Sequence, residues 1–148
     1  MNKIMCLSFV LIAGIVTPHL AAAEVLITEK EAALPASSGV LATRGISRGP
    51  AVKLESPEAD APAMAPFKLK VKFEPRGDAK IDPSTIKVTY LKSPPVDLTS
   101  RLKTSISSNG IEFTNATAPP GTHPIRILVK DSEGRETNFT FNMVIGQQ

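Results

Sequence analysis

The sequence predicts an all-β fold, an antiparallel β-sandwich of about seven short strands. The clearest observation is the stretch 121–145, where apolar and polar residues alternate on both sides of a polar turn at 131–134. Period-two alternation around a short loop that contains glycine is typical of a β-hairpin. Turn signals recur through 51–121, and the 13 prolines of the chain oppose long helices. A single layer of strands would leave its apolar row uncovered, so we expect a second layer.

Further strands are predicted upstream of this hairpin. The run at 67–74 alternates most regularly, and strands are also expected at 51–55, 85–91 and 110–115. The stretches 96–99 and 102–106 are predicted to be short strands or an irregular edge. The folded domain is therefore expected to cover residues 51–148.

The first 23 residues have the pattern of a secretory signal peptide. Lys3 supplies a short basic region, an apolar run follows at 4–16, and small residues precede a cleavage position after Ala23. A membrane anchor is the alternative, but the run is shorter than the roughly 20 residues that a span needs. Cys6, the only cysteine, lies inside this run, so the processed chain is expected to have no disulfide. Export without cysteine favours a bacterial protein that is periplasmic or secreted, with no transmembrane segment after cleavage.

Residues 24–50 are predicted to be a flexible N-terminal segment and linker. Thr28 and Glu31 have the spacing of a capping box, which predicts about one helical turn before Pro35 ends it. The apolar residues of this segment need a surface to cover them. Two interpretations are open: the segment packs on its own domain or is disordered, or it is a peptide that docks onto a partner.

Two Arg-Gly pairs, at Arg44 and Arg48, lie in the linker-like part of the segment. Flexible arginines are able to grip an anionic group, which makes Arg44 and Arg48 candidates for partner binding. The alternative is that both are solvated linker charges.

The strand predicted at 67–74 has one apolar face and one charged face. Its outward positions are Lys68, Lys70 and Lys72. Further basic residues are expected at neighbouring outer positions, namely Lys87, Arg126 and Lys130. Such a basic face is expected to attract an envelope protein or an anionic polymer. The alternative is that these lysines keep a sheet face soluble and discourage edge pairing. The net charge of +3 is too small to indicate a nucleic-acid partner.

Several local features occur in an order known from one family. An Asp-Pro-Ser corner at 82–84 precedes a strand, and the edge segment Asp97-Leu98-Thr99 follows it. Gly121 then begins a strand, Asp131 and Gly134 mark the hairpin turn, and the last strand is rich in Phe. Residues 51–146 thus resemble a bacterial immunoglobulin-like domain of exported proteins. The resemblance implies the sandwich but no single function, because such domains serve as spacers, adhesin parts and binding domains.

Candidate catalytic and metal-binding residues are few after residue 23. His123 is the one histidine there, and it is predicted to be a surface or loop residue. A single histidine without cysteine does not build a zinc site of the usual kind. The acidic residues around Asp82 and Asp131 lack the dense spacing of a calcium loop, and Asp131 is predicted to cap its turn. We therefore expect no enzyme, no metal and no cofactor.

The function that the sequence favours is a non-enzymatic exported module that contacts protein or an anionic polymer in the bacterial envelope. The candidate binding residues are Lys68, Lys70, Lys72, Arg44 and Arg48. The alternative is a structural spacer, or an accessory subunit of an envelope assembly, with no ligand of its own.

Overall fold

The structure, a computed structural model, describes residues 22–38 and 48–147. The strands in these residues are β1 (Glu24–Val25), β2 (Ala51–Ser56), β3 (Pro62–Ala63), β4 (Phe67–Glu74), β5 (Lys87–Tyr90), β6 (Val96–Asp97), β7 (Ile106–Ser107), β8 (Gly110–Thr117), β9 (Gly121–Lys130) and β10 (Glu136–Ile145). The helical elements are α1 (Glu29–Ala32), α2 (Thr99–Leu102) and two single 3-10 turns, Pro83–Thr85 and Lys103–Ser105. The signal-peptide prediction, with Cys6, falls almost wholly outside the described residues.

The strands form two sheets that pack together, so the predicted β-sandwich is confirmed. The first sheet has the order β1–β8–β4–β2, and β7 also pairs with β8. The second sheet has the order β3–β10–β9–β5–β6. The described residues form ten strands, more than the predicted seven, and four of them, β1, β3, β6 and β7, are only two residues long. A two-residue strand has no measurable alternation, which explains why the sequence pattern did not indicate all of them.

The sheets are mixed, whereas the prediction was an antiparallel sandwich. β1 pairs with β8 in parallel, and β3 pairs with β10 in parallel. The longer strands pair antiparallel, as expected. In each parallel pair, a strand of two residues lies beside a long strand that runs in the same direction.

The predicted C-terminal hairpin is confirmed in full register. β9 and β10 pair without interruption from Glu136 opposite Lys130 to Ile145 opposite Gly121. Asp131 caps the turn, as predicted: its Oδ1 accepts hydrogen bonds from the Glu133 and Arg135 amides at 3.0 and 2.9 Å. Arg135 Nε also donates to Asp131 Oδ2 at 2.8 Å. Burial by itself would raise the pKa of the Asp131 carboxyl, but these hydrogen bonds hold it below its ordinary value.

The core lies between the two sheets and is built by the alternation of each long strand. On β4, the residues at odd positions are buried, and those at even positions are exposed or half-buried. The same alternation on β9 and β10 buries the facing row. The buried aromatic and large aliphatic residues from these strands include Phe67, Leu69, Val71, Phe73, Phe113, Ile125, Ile127, Phe141 and Met143. Hydrophobic burial across this interface is what holds a chain of this composition together.

The segment 102–106, predicted as a short strand or an irregular edge, is mostly helical. Residues Thr99–Leu102 form α2, a 3-10 turn follows, and only Ile106 of the predicted stretch belongs to a strand. Leu98 and Leu102 are both fully buried, and their spacing of four places them on one face of a helical turn. The Asp97 carboxylate accepts a hydrogen bond from the Thr99 amide at 2.8 Å and so forms an Asx-turn just before α2.

The N-terminal segment packs on the sandwich. Leu26 and Ile27 are 0% and 2% exposed and belong to the main core. The amides of both residues donate to the Thr117 carbonyl at the end of β8, at 2.9 and 3.4 Å. Of the two interpretations that the sequence left open, the structure favours packing on the chain's own domain for residues 24–36.

The predicted capping box is present at the start of α1. The Glu31 amide donates to Thr28 Oγ1 at 3.3 Å, and the Thr28 amide donates to Glu31 Oε2 at 2.9 Å. At the other end of α1, Lys92 Nζ donates to the carbonyls of Ala32 and Leu34 at 2.9 and 3.0 Å. A lysine at the C-terminal carbonyls of a helix satisfies acceptors that the helix leaves open. No helix in the described ranges is long and apolar enough to cross a membrane.

Candidate functional site

The outer surface of the first sheet has several ion pairs close together. Strands β2, β4 and β8 lie side by side there and turn their alternate side chains away from the core. We call this surface the charged face, and it consists of Lys53, Glu55, Lys68, Lys70, Lys72, Glu74 and Glu112. The predicted lysine row therefore does share one exposed face, with side chains that are 44–53% exposed.

Two ion pairs on the charged face join neighbouring strands. Lys68 on β4 pairs with Glu112 on β8, and Lys70 Nζ lies 2.8 Å from Glu55 Oε2 on β2. The Lys68 ammonium lowers the pKa of Glu112, and the Lys70 ammonium lowers that of Glu55. Glu55 in turn raises the pKa of Lys70. In each of the two pairs, the lysine therefore faces a carboxylate whose pKa is lowered.

Glu74 completes the charged face by binding two lysines. Lys53 Nζ lies 3.1 Å from Glu74 Oε2, and Lys72 Nζ lies 3.3 Å from Oε1. Hydrogen bonds from Lys53 and then Lys72 lower the pKa of Glu74. The face thus combines lysines and glutamates over the three strands, instead of presenting the uniformly basic surface that the lysine row suggested.

The other predicted basic residues lie on the opposite side of the molecule. Lys87 is on β5, and Arg126 and Lys130 are on β9, all in the second sheet. The expectation that they neighbour the lysine row is wrong, because β5 pairs with β9 and not with β4. Lys130 Nζ also lies 3.4 Å from Glu136 Oε1, so this sheet has an exposed ion pair of its own.

A cleft of 360 Å³ opens on the charged face where the turn between β7 and β8 meets β4. Lys70 and Lys72 line one side, and Ser107, Asn109 and Glu112 line the other. The turn is held close because the Phe73 amide donates to the Asn109 carbonyl at 2.8 Å. The cleft therefore gives the charged face a concave centre with both donors and acceptors.

The two arginines predicted as partner-binding residues are not brought to the charged face by any described contact. Arg44 lies outside the described residues. Arg48 is exposed, but the next two residues, Gly49 and Pro50, are buried. The Pro50 carbonyl accepts a hydrogen bond from Thr137 Oγ1 at 2.7 Å, which fixes this end of the linker to β10.

The prediction that His123 is a surface or loop residue is wrong, because its side chain is 2% exposed. The Pro119 carbonyl lies 2.7 Å from Nε2, so Nε2 carries the proton and donates to it. Nδ1 then accepts from the Tyr90 hydroxyl at 2.9 Å. Burial lowers the pKa of His123, against the opposing effect of the Pro119 carbonyl, and keeps the ring neutral. The sequence did contain a signal for this burial, because His123 lies at the same alternate positions as the buried residues of β9.

An ion pair that the sequence did not indicate fixes the N-terminal segment to α2. Arg101 Nη1 and Nη2 lie 2.8 and 2.6 Å from the two carboxylate oxygens of Glu31, and Nη1 also donates to the Leu26 carbonyl at 2.8 Å. The Arg101 guanidinium lowers the pKa of Glu31 to about 2. This bidentate pair is partly shielded from water and is therefore stronger than the exposed pairs of the charged face. Seventy positions separate its partners, so spacing in the sequence held no sign of it.

A second cleft, of 670 Å³, borders the N-terminal segment. Val25, Ile27 and Thr28 line one side, and Thr117 and Pro119 line the other. Val25 is 54% exposed there, although the two residues that follow it are buried. In the described part of the segment, this small apolar rim is the surface that the docking interpretation could use.

Acidic residues in the described ranges do not gather into a group of three or more metal ligands with His, Cys or each other. Asp82 caps the 3-10 turn by accepting from the Ser84 amide at 2.9 Å, and Asp131 caps its own turn. Both carboxylates near the predicted turns therefore have backbone partners.

No family model, curated protein or solved structure matches this chain.

Proposed function

We propose that this chain is a non-enzymatic, exported immunoglobulin-like module that contacts another protein of the bacterial envelope through the charged face. The observation that supports this proposal most is the charged face itself. Its four lysines and three glutamates are joined in ion pairs over three adjacent strands, and four of the seven side chains line a concave centre. A patterned set of exposed charges gives orientation and partner choice in association, even where each pair adds little stability.

The pairing on the charged face favours a protein over an anionic polymer. A polyanion has to compete with the carboxylates that already bind Lys68, Lys70 and Lys72. A protein surface of mixed charge is able to exchange partners with lysines and carboxylates alike, so no charge is left unpaired. The alternative function is a spacer or accessory subunit, for which the same ion pairs keep an exposed sheet face soluble.

The order of the strands supports the immunoglobulin-like part of the proposal. The first sheet reads β7–β8–β4–β2, and the second reads β6–β5–β9–β10 with β3 at its edge. These orders correspond to the D-E-B-A and C′-C-F-G arrangements of immunoglobulin-like sandwiches. The switch of the chain from β2 in one sheet to β3 in the other is consistent with a first strand that is shared between the sheets.

A charge-swap experiment tests the charged face as the contact surface. In the double variant Lys68→Glu/Glu112→Lys, the ion pair is kept but its direction on the sheet is reversed, so the fold is expected to be retained. The matched control is Lys130→Glu/Glu136→Lys, which reverses an exposed pair on the second sheet. We expect the native protein and the control to capture the same partner from envelope extract, and the Lys68/Glu112 swap to lose at least about 90% of it.

Two results would count against the proposal. Equal capture by the native protein and the Lys68/Glu112 swap would show that the charged face is not the contact surface. The absence of any reproducible partner for the native protein would favour the spacer. Circular dichroism and thermal unfolding of all three proteins establish that any difference does not come from loss of the fold.

A further inference from the structure

Strand β2 forms one edge of the first sheet. It pairs with β4 on one side, and no described strand lies beyond it on the other. It is six residues long, the longest of the strands that end a sheet in the described residues. An edge of this length presents backbone donors and acceptors to any strand that is able to align with it.

The direction of these backbone groups follows from the pairing of β4. The Phe73 amide donates toward β8, to the Asn109 carbonyl. Backbone groups alternate in direction along an antiparallel strand, so those of Lys72 point toward β2 and bond with the opposite residue, Lys53. The amide and carbonyl of the next residue, Leu54, therefore point away from β4 toward the open edge.

The side chains around Leu54 are complementary to a copy of themselves. If two β2 strands align antiparallel with Leu54 opposite Leu54 of the second copy, Lys53 of each copy lies opposite Glu55 of the other. Both side chains are on the outer face, as the exposure pattern of β2 shows. Opposite charges directly across a strand pair are favourable, whereas like charges are not. Other symmetric alignments do not place these two charges opposite each other.

We propose that two copies of this chain associate through antiparallel pairing of their β2 strands, with Leu54 on the two-fold axis. Each Leu54 amide donates to the Leu54 carbonyl of the other copy, and the two Lys53–Glu55 pairs flank this centre. The first sheets of the two copies then form one continuous sheet, and their charged faces become one surface. Lys53 and Glu55 also belong to the charged face, but this proposal does not depend on the proposed function, because association of the purified chain with itself requires no other envelope protein.

A bulge limits the length of this pairing. The register between β2 and β4 shifts between Leu54 and Ser56, with Glu55 as the additional residue. A bulge increases the local twist, so we confine the paired stretch to residues 53–55, which are symmetric about Leu54. Lys53 and Glu55 also keep their partners within each copy, Glu74 and Lys70, so each exposed charge joins a network of ion pairs.

The test uses two single variants and their mixture. Lys53→Glu places Glu opposite Glu in a pair of like copies, and Glu55→Lys places Lys opposite Lys. An equimolar mixture restores opposite charges at both positions, because one copy then has two glutamates and the other two lysines. We measure association by sedimentation equilibrium up to roughly 1 mM protein, a range that detects weak dimers.

We expect the native protein to dimerise, and each single variant to associate at least about tenfold more weakly. The mixture is expected to return to native association or better. A native protein that stays monomeric over the whole range would overturn the proposal and leave the edge to a strand from another protein. Single variants that dimerise like the native protein, or a mixture that stays monomeric, would also overturn it. All variants change exposed residues, so they are expected to fold. Circular dichroism checks this before the sedimentation experiments.

Discussion

Leu26→Ala is expected to lower the free energy of unfolding by about 2–5 kcal/mol, as for other fully buried leucines. The Leu26 side chain is 0% exposed and lies in the same core cluster as the strands of both sheets. Removing it leaves a cavity beneath β1 and α1, which short elements are poorly able to fill. Unfolding in urea, followed by circular dichroism, measures this loss.

The neighbouring residue provides the matched control. Val25 is 54% exposed, so Val25→Ala is expected to change the free energy of unfolding by less than about 0.5 kcal/mol. A large difference between two adjacent positions would show that the N-terminal segment is part of the folded domain. Two small and equal effects would contradict this account, and would return the segment to the status of a peptide free to dock elsewhere.

Gly110→Ala is expected to lower the free energy of unfolding by about 3 kcal/mol or more, near the upper end for one substitution. A Cβ atom at Gly110 would lie 2.1 Å from the Val71 carbonyl oxygen, and that oxygen belongs to the backbone of β4. The φ of Gly110 is +157°, in a range that residues with side chains rarely adopt. To relieve the clash, β8 has to move away from β4 at the centre of the first sheet.

Gly77→Ala is the control that separates the effect of this clash from the general effect of replacing a glycine on the free energy of unfolding. Gly77 has a φ of +62°, but nothing lies within 4 Å of an added Cβ. Its replacement is therefore expected to cost only the left-handed conformation, about 1 kcal/mol. Thermal unfolding of both variants gives the comparison. If the two substitutions cost the same, the close approach of Gly110 to β4 is not a determinant of the fold.

The parts of the fold that could be predicted from the sequence are those governed by local alternation. β4, β9 and β10 bury alternate residues along most of their length, so their inward and outward faces can be predicted from the sequence. The capping box at Thr28 is also local, and it was found by its spacing. Where a pattern covers only about one helical turn, as at the four residues of α2, it does not distinguish a helix from a strand.

The candidate site could be predicted only in part, for a different physical reason. Alternation placed Lys68, Lys70 and Lys72 on one face, but the carboxylates that pair with two of them belong to other strands. Register between strands depends on the whole sheet and not on the spacing along one strand. The same applies to Glu31 and Arg101, which meet only because α2 lies beneath the N-terminal segment.

The most direct test of the charged face as a contact surface is photo-crosslinking in the cells that make the protein. A photoreactive residue in place of Lys72 probes the charged face, and Glu74 keeps Lys53 as a partner in that variant. The same residue in place of Arg126 probes the exposed side of the second sheet. We expect an adduct of discrete mass from position 72 and none from position 126. No adduct from position 72, or the same adduct from both positions, would contradict the proposed function.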